Sequence, residues 1–434
     1  MSKRDEDVKA SPQYSVDKQS NEELQCLSGW QYVQLGKFVD LISGHHVMAC
    51  YCNNQGVGTP YLTGPADFPD GVIQLTKYTT RPSAICDEGD ILVTVKGSGV
   101  GSLALADKKY CISRQLMAVR VRSWDARFVY QLISSKRDFF SGAATGLIPG
   151  LSRGDILEKI IHVPVDPEEQ VAIANALSDV DSLISSLESL ITKKQAIKTA
   201  TVQQLLTGRT RLPQFANYSN GRPKEMRQTE LGRIPEDWVI KSFKDCVSST
   251  QLGGNYANNE SENQKPLIKM GNLGRGRIVL DKLEYVVGAV AERDRLRSGD
   301  VIFNTRNTLE LVGKVAIWRG ELPRAYFNSN LMRICFDSSV VSSGEFMNAL
   351  LNTEFFISAL ASIATGTTSV AAIYTRDLMG LMLALPLPDE QVAIANVLSD
   401  IEAEIQSLEL RLIKTRDIKQ GMMYELLTGR NRLA

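Results

Sequence analysis

The residue group with the most obvious catalytic look is Gly97-Ser98-Gly99-Val100-Gly101, which follows a strand-like run from Ile91 to Val95. Glycine-rich loops after strands cradle nucleotides and S-adenosylmethionine because their backbone approaches phosphates and carboxylates closely. The segment that follows, LALADKKYC, lacks a helical pattern, and the glycine spacing is not G-x-G-x-x-G. A β-turn or a ligand-facing loop is therefore the expectation. A second group, His45, His46, Cys50 and Cys52, offers zinc-type donors, yet C-x-C beside paired histidines is not a zinc-ligand spacing and no second cluster answers it. It reads as a polar loop, and His162, within the apolar run IIHVPV, reads as a structural residue. No Asn-Pro-Pro-Tyr-like or Asp-Pro-Pro-Tyr-like methyltransferase motif and no G-x-x-x-x-G-K-[ST] phosphate loop is present, so neither catalytic nor metal or cofactor residues are assigned.

A different chemistry is available to side chains that form paired hydrogen bonds with base edges: arginine or lysine with guanine, asparagine or glutamine with adenine. Lys77, Lys96, Ser98, Arg114 and Gln115 lie beside strand-like segments in the first half of the chain, and Asn304, Arg306, Asn307, Asn328 and Asn330 do so in the second. Taken singly, each is better explained by a solvated position or a phosphate contact than by base reading, since most protein–DNA hydrogen bonds go to the backbone.

The elements that would position these residues come from a duplication. Glu169 to Asp179 reads EQVAIANALSD and Glu390 to Asp400 reads EQVAIANVLSD, an offset of 221 residues that also carries Leu205-Leu206-Thr207-Gly208-Arg209 onto Leu426-Leu427-Thr428-Gly429-Arg430. Upstream the match is weaker: Trp30 answers Trp238, Gly89-Asp90-Ile91-Leu92 answers Gly299-Asp300-Val301-Ile302, and Ala144-Thr145-Gly146 answers Ala364-Thr365-Gly366. Two near-identical segments thus follow two diverged domains.

Each repeated segment carries helix boundaries. Asp166 caps the first, Pro167 suits its first turn, Glu168 and Glu169 complement the dipole, and Gly208 stops it. Pro388, Asp389, Glu390 and Gly429 take the same places in the second, with Leu387 where a capping side chain would stand. Helices of this length reach about 58 Å at 1.5 Å per residue. Leu177, Val180, Ile184, Leu187 and Ile191, and likewise Leu398, Ile401, Ile405, Leu408 and Leu412, recur at 3-4-3-4 spacing, the seam of a coiled coil. A long amphipathic helix packed along a domain is the alternative. An antiparallel pair centred on Leu187 and Leu408 brings Asp179 and Asp181 to Arg416 and Lys414, and Lys193 and Lys194 to Glu402 and Glu404, whereas a parallel pair would align the acidic halves.

The fold expected is α+β: two globular α/β domains separated by two long antiparallel coiled-coil helices, with pseudo-twofold internal symmetry. The boundaries expected are a polar, disordered tail at 1–26, domains at 27–166 and 237–387, helices at 167–207 and 388–428, a linker at 208–236, and a short tail at 429–434. Within the linker, Arg209, Arg211, Arg222, Lys224, Arg227 and Arg233 are candidates for phosphate contacts, or simply solubilise a connector.

Composition fits such an assembly part better than a free-standing nucleic-acid binder. Lysine plus arginine equals aspartate plus glutamate at 49 each, so no global positive field exists. The 434 residues are 43% hydrophobic, enough for more than one core. Seven scattered cysteines read as reduced thiols, and with no apolar run long enough for a membrane span or a signal peptide the cytoplasm is expected.

The duplicated PxDPEEQ/LPLPDEQ helix start, the LLTGRxRL exit, the Leu231-Gly232-Arg233-Ile234-Pro235-Glu236-Asp237-Trp238 segment and the repeated Ala-Thr-Gly make the chain after residue 26 resemble the specificity subunits of type I restriction-modification systems. The first domain keeps Gly29-Trp30 and Leu35-Gly36 without the Ile-Pro-Glu-Asp preamble. The resemblance implies two target recognition domains, each reading half of a split double-stranded DNA site, and helices that act as spacer and as docking surface for two modification subunits. S-adenosylmethionine, ATP and Mg would then belong to those subunits and to the restriction subunits. An autonomous DNA methyltransferase, a stand-alone DNA-binding protein and a scaffold that binds only proteins are the alternatives.

Overall fold

The computed structural model describes residues 29–97, 99–135, 150–367 and 369–433. The N-terminal tail, Ser98, Ala144-Thr145-Gly146 and Cys26 lie outside the described residues. The chain divides into two compact units, Met1–Leu187 with Arg411–Ala434, and Glu188–Leu410. Each long helix, Pro167–Leu206 and Pro388–Leu426, runs unbroken, and each begins in one unit and ends in the other.

In the first unit, Trp30–Gln34 pairs antiparallel with Ile160–Pro164, so the domain's first strand lies against the strand that leads into the helix. A four-stranded antiparallel sheet has the order Val39–Ser43, Leu116–Val121, Ile91–Thr94, Leu103–Leu105. A second sheet contains one parallel pairing, Tyr61 opposite Cys111. Every residue of Ile91–Thr94 is buried. Ile91 and Val93 join the core around Phe128 and Leu132, while Leu92 joins the core around Leu62 and Phe68. Burial on both faces is why this strand reads as an uninterrupted apolar run.

The second unit repeats this plan. Val239–Ser242 pairs with Met382–Leu385, and the four-stranded order is Val247–Leu252, Leu331–Phe336, Val301–Asn304, Val315–Ile317. Its second sheet has the corresponding parallel pairing, Leu267 opposite Tyr326. The same topology has therefore outlasted the divergence of the side chains. The Gly-Asp of each copy is structural: Asp90 accepts from the Asp87 amide and Arg120, and Asp300 accepts from the Arg297 amide and pairs with Arg333.

The long helices start and stop as their sequences dictate. Asp166 Oδ1 accepts from the Glu168 amide, and Gly208 and Gly429 take the left-handed conformation, with φ of 67° and 73°, that ends a helix. Leu177 and Leu398 sit in the domain cores with Ile173 and Ile394, so the first turns of each helix pack on its own domain. Leu187, Ile191 and Ile405 are buried, whereas Val180, Ile184, Ile401, Leu408 and Leu412 are partly exposed.

Helix-to-helix ion pairs fix the antiparallel direction within each unit. Lys194 meets Glu404 at 2.7 Å and Lys198 meets Glu402 in the second unit, and Lys419 meets Asp181 at 2.6 Å in the first. Asp181 pairs with Lys419 rather than with the expected Lys414, and Lys198 rather than Lys193 takes Glu402. These partners place the helices about one turn further along than an alignment of Leu187 with Leu408 would.

The helix exits close the opposite copy. Leu205 and Leu206 enter the core that contains Leu383, Leu385 and Ile394, and Leu426 and Leu427 enter the one that contains Trp30, Ile161 and Ile173. Beside them, Arg211 donates to both carboxylate oxygens of Glu390 at 2.6 Å each, and Arg432 to those of Glu169 at 3.0 and 2.6 Å. The 221-residue offset carries one pair onto the other.

Candidate nucleic-acid interface

Lys96, Arg114 and Gln115 are exposed and share one end of the first domain's sheet. Lys96 follows the central strand and bridges Gly150, and the Val95 amide donates to the Gln115 carbonyl at 2.8 Å. Lys77 is exposed just before the short strand Tyr78–Thr79, and its carbonyl accepts from the Tyr61 amide. Ser98 lies outside the described residues. The glycines around it form a β-hairpin turn, with the Gly101 amide donating to Thr94 and the chain continuing into strand Leu103–Leu105 rather than a helix.

The second domain builds the equivalent end. The Thr305 amide donates to the Asn330 carbonyl at 3.0 Å, as Val95 does to Gln115, and the Gly313 amide donates to Asn304 as Gly101 does to Thr94. Arg306 therefore corresponds to Lys96 and Asn330 to Gln115. Arg306 is exposed, and Asn307, Asn328 and Asn330 are half-buried. The Oδ1 atoms of Asn307 and Asn328 accept from the Thr308 and Asn330 amides, which shapes the turns they stand in.

Asn304 corrects the expectation drawn from its residue type. It is fully buried at the end of the doubly covered central strand, its Oδ1 accepting from the Arg306 amide, and it presents no surface to a ligand.

A small sheet beside Arg306 was not singled out from the sequence. Arg306–Asn307 pairs with Ala371–Ala372, which pairs with Thr365–Gly366, so the second Ala-Thr-Gly opens a hairpin whose Val370 is 68% exposed. Gly366 has φ 135°, and a Cβ there would stand 2.2 Å from the Val370 carbonyl oxygen, so only glycine makes this turn. The repetition of Ala-Thr-Gly was the signal available.

Three linker cations also depart from expectation. Arg211 has 9% of its side chain exposed and binds Asp237 as well as Glu390, while Lys224 meets Asp237 at 2.7 Å. Arg227 donates to the Trp238 carbonyl. Burial pushes the Asp237 carboxyl up, but hydrogen bonds from Arg211 and Lys224 outweigh it and hold it below the ordinary range. These groups hold the fold together and are not arrayed toward phosphate.

His162 stacks on Tyr32 at 4.3 Å and lies against Trp30, as a structural residue does. Cys52 donates to the Met48 carbonyl, and among the described residues no group of three or more His, Cys, Asp or Glu is gathered as a metal site.

The fold and these paired sheet ends define a duplicated subunit, with two domains of one topology presenting different side chains at corresponding places. Residues 27–199 match the family described as type I restriction modification DNA specificity domain. Along 421 residues, covering 94% of this chain and 95% of the relative, the sequence is 26% identical to the type I restriction enzyme MjaVIII specificity subunit of Methanocaldococcus jannaschii. It is 27% identical over 208 residues to the putative MjaX specificity subunit of that organism, 47% of this chain and 49% of that one. The fold matches the crystal structure of the type I restriction-modification S subunit from M. genitalium with a TM-score of 0.59 at 16% identity, covering 92% and 96% of the two chains. Across nearly its whole length the chain is thus similar in sequence to a type I restriction enzyme specificity subunit, and in fold to a type I S subunit.

Proposed function

We propose that this chain is the non-catalytic DNA-specificity subunit of a type I restriction-modification complex, each domain reading one half of a split DNA site and the helices setting the gap. The observation that carries this reading is the correspondence between Lys96 with Gln115 and Arg306 with Asn330. One backbone frame offers different hydrogen-bonding groups in the two copies, while the starts and exits of the helices that follow have scarcely changed. A subunit that reads two different half-sites and holds two identical partners needs that distribution of change.

Two modification subunits are the partners we assign to the repeated helices, with the restriction subunits joining that complex. Val171 and Val392, equivalent by the repeat, are exposed by 41% and 40% on the outward face of each helix start. Apolar residues kept at the surface in both copies suit a docking partner used twice. S-adenosylmethionine, ATP and Mg fall to those partners. Among the described residues no single helix is long and apolar enough to cross a membrane, and the DNA substrate favours the cytoplasm.

The test exchanges residues 237–387 for those of a relative with a known site and sequences the adenine methylation that the assembled complex deposits. One half of the motif changes and the other half and the gap remain. A change in both halves, or in neither, defeats the modular reading.

A further inference from the structure

We propose that Arg432 and Arg211 are positioning residues for DNA recognition, each latching one reading domain to the helix pair so that its sheet end meets its half-site at a fixed angle. The proposal rests on the specificity-subunit reading above. In the first unit three separate stretches of chain converge on Glu169. The first strand supplies Trp30, whose Nε1 donates to Oε1 at 3.3 Å; the helix start supplies Glu169 itself; and the segment after the second helix supplies Arg432. Gln170, the next residue, donates to the Pro164 carbonyl and ties the helix start to the strand paired with Trp30.

The second unit gathers the equivalent groups. Arg211 lies 5.9 Å from the Trp238 ring and binds Glu390, and Gln391 donates to the Pro386 and Val340 carbonyls. Where Asp237 precedes Trp238 and takes two further hydrogen bonds from Arg211, the first copy has Gly29 before Trp30. A Cβ on Gly29 would stand 3.2 Å from the Arg432 guanidinium, so the missing side chain makes room for the arginine to lie against the domain's first strand.

A guanidinium that donates twice to one carboxylate restricts rotation as well as distance, because its fork fits in one plane. The latch stands at the junction of domain and helix, remote in sequence from Lys96 and Gln115. Its loss would alter how the domain is held and leave the residues at that sheet end themselves intact.

The experiment uses the full chain assembled with its modification subunits and measures methylation on a panel of duplexes with single changes in each half-site. Arg432→Gln is the deciding variant, since half of the Arg432 side chain is exposed and the core beneath is unchanged. It is expected to reduce discrimination in the half-site read by residues 27–166 by about tenfold, the scale of one mismatched base pair, and to leave the other half unchanged. Arg432→Lys restores part of the loss, as one ammonium replaces a fork. Arg211→Gln, measured alongside, shifts the effect to the other half-site; if that variant does not assemble, Arg432→Gln decides alone. Equal losses in both halves, or none, overturn the latch. A wild-type complex that methylates no split site overturns the specificity reading and the latch with it, whereas a selective wild type with an unaltered Arg432→Gln overturns the latch only.

Discussion

Arg432 donates to both carboxylate oxygens of Glu169 across 263 residues of sequence, and the pseudo-equivalent Arg211 does the same to Glu390. The two contacts differ in setting. Arg211 is 9% exposed and shares its charge with Asp237, whereas Arg432 is 49% exposed.

Burial makes the second unit the more sensitive to loss of its pair. Glu390→Gln leaves the Arg211 charge short of a partner in a site nearly closed to water and is expected to destabilise the second unit by about 3–5 kcal/mol. Denaturant unfolding followed by a probe within residues 188–410 measures it. Glu169→Gln, which faces the more exposed arginine, has the smaller effect, and equal effects would contradict the difference in setting.

Acid should act on Asp237. Its folded-state carboxyl titrates below the ordinary value, so its contribution is fully present above the unfolded value and fades as pH falls through the lowered one. Unfolding titrations of the wild type and Asp237→Asn should converge at the acid end and separate above the ordinary carboxylate range. Curves parallel throughout would show that the carboxylate charge does not contribute.

Helix register should control the gap between half-sites. Removing residues 189–192 takes out a little over one turn upstream of Lys194 and Lys198 and breaks the heptad spacing. The recognised gap should shorten or assembly should fail. An active complex with its original gap would exclude the spacer role.

Arg306, exposed at the edge of its small sheet, is expected to contact phosphate, so Arg306→Ala weakens binding to all sequences alike and lowers the magnitude of the salt slope by about 0.9. Asn330→Ala should instead relax preference at one position of one half-site. Binding titrations across salt and across a sequence panel separate the two, and a base-specific loss at Arg306 would reverse the assignment.

The duplication and the helix limits were readable in the sequence because Pro167, Gly208, Pro388 and Gly429 act through the backbone around them. The helix alignment was not. With about two clean heptads and adjacent charges at Lys193 and Lys194, a one-turn slide exchanges one set of ion pairs for another at small cost. Asn304 looked like a reader because strand-edge and strand-core asparagines have the same one-letter signature, and only the second sheet buries it. Arg211 resembled a phosphate contact for a related reason: its carboxylate partners lie at Asp237 and Glu390, well outside any local pattern. The clue present throughout was that both copies keep the arginine and the glutamate together.

The discontinuity of the first unit sets an order of events during translation. Its core includes Leu426 and Leu427, which the ribosome adds after all of Glu188–Leu410, so the second unit can close before the first. Until those two leucines emerge, the residues around Trp30 lack the side chains that cover them, an apolar surface of the kind that makes partly folded chains prone to aggregate. The first unit is thus the last to close, and its Arg432–Glu169 contact forms only after the whole of the second unit has been made.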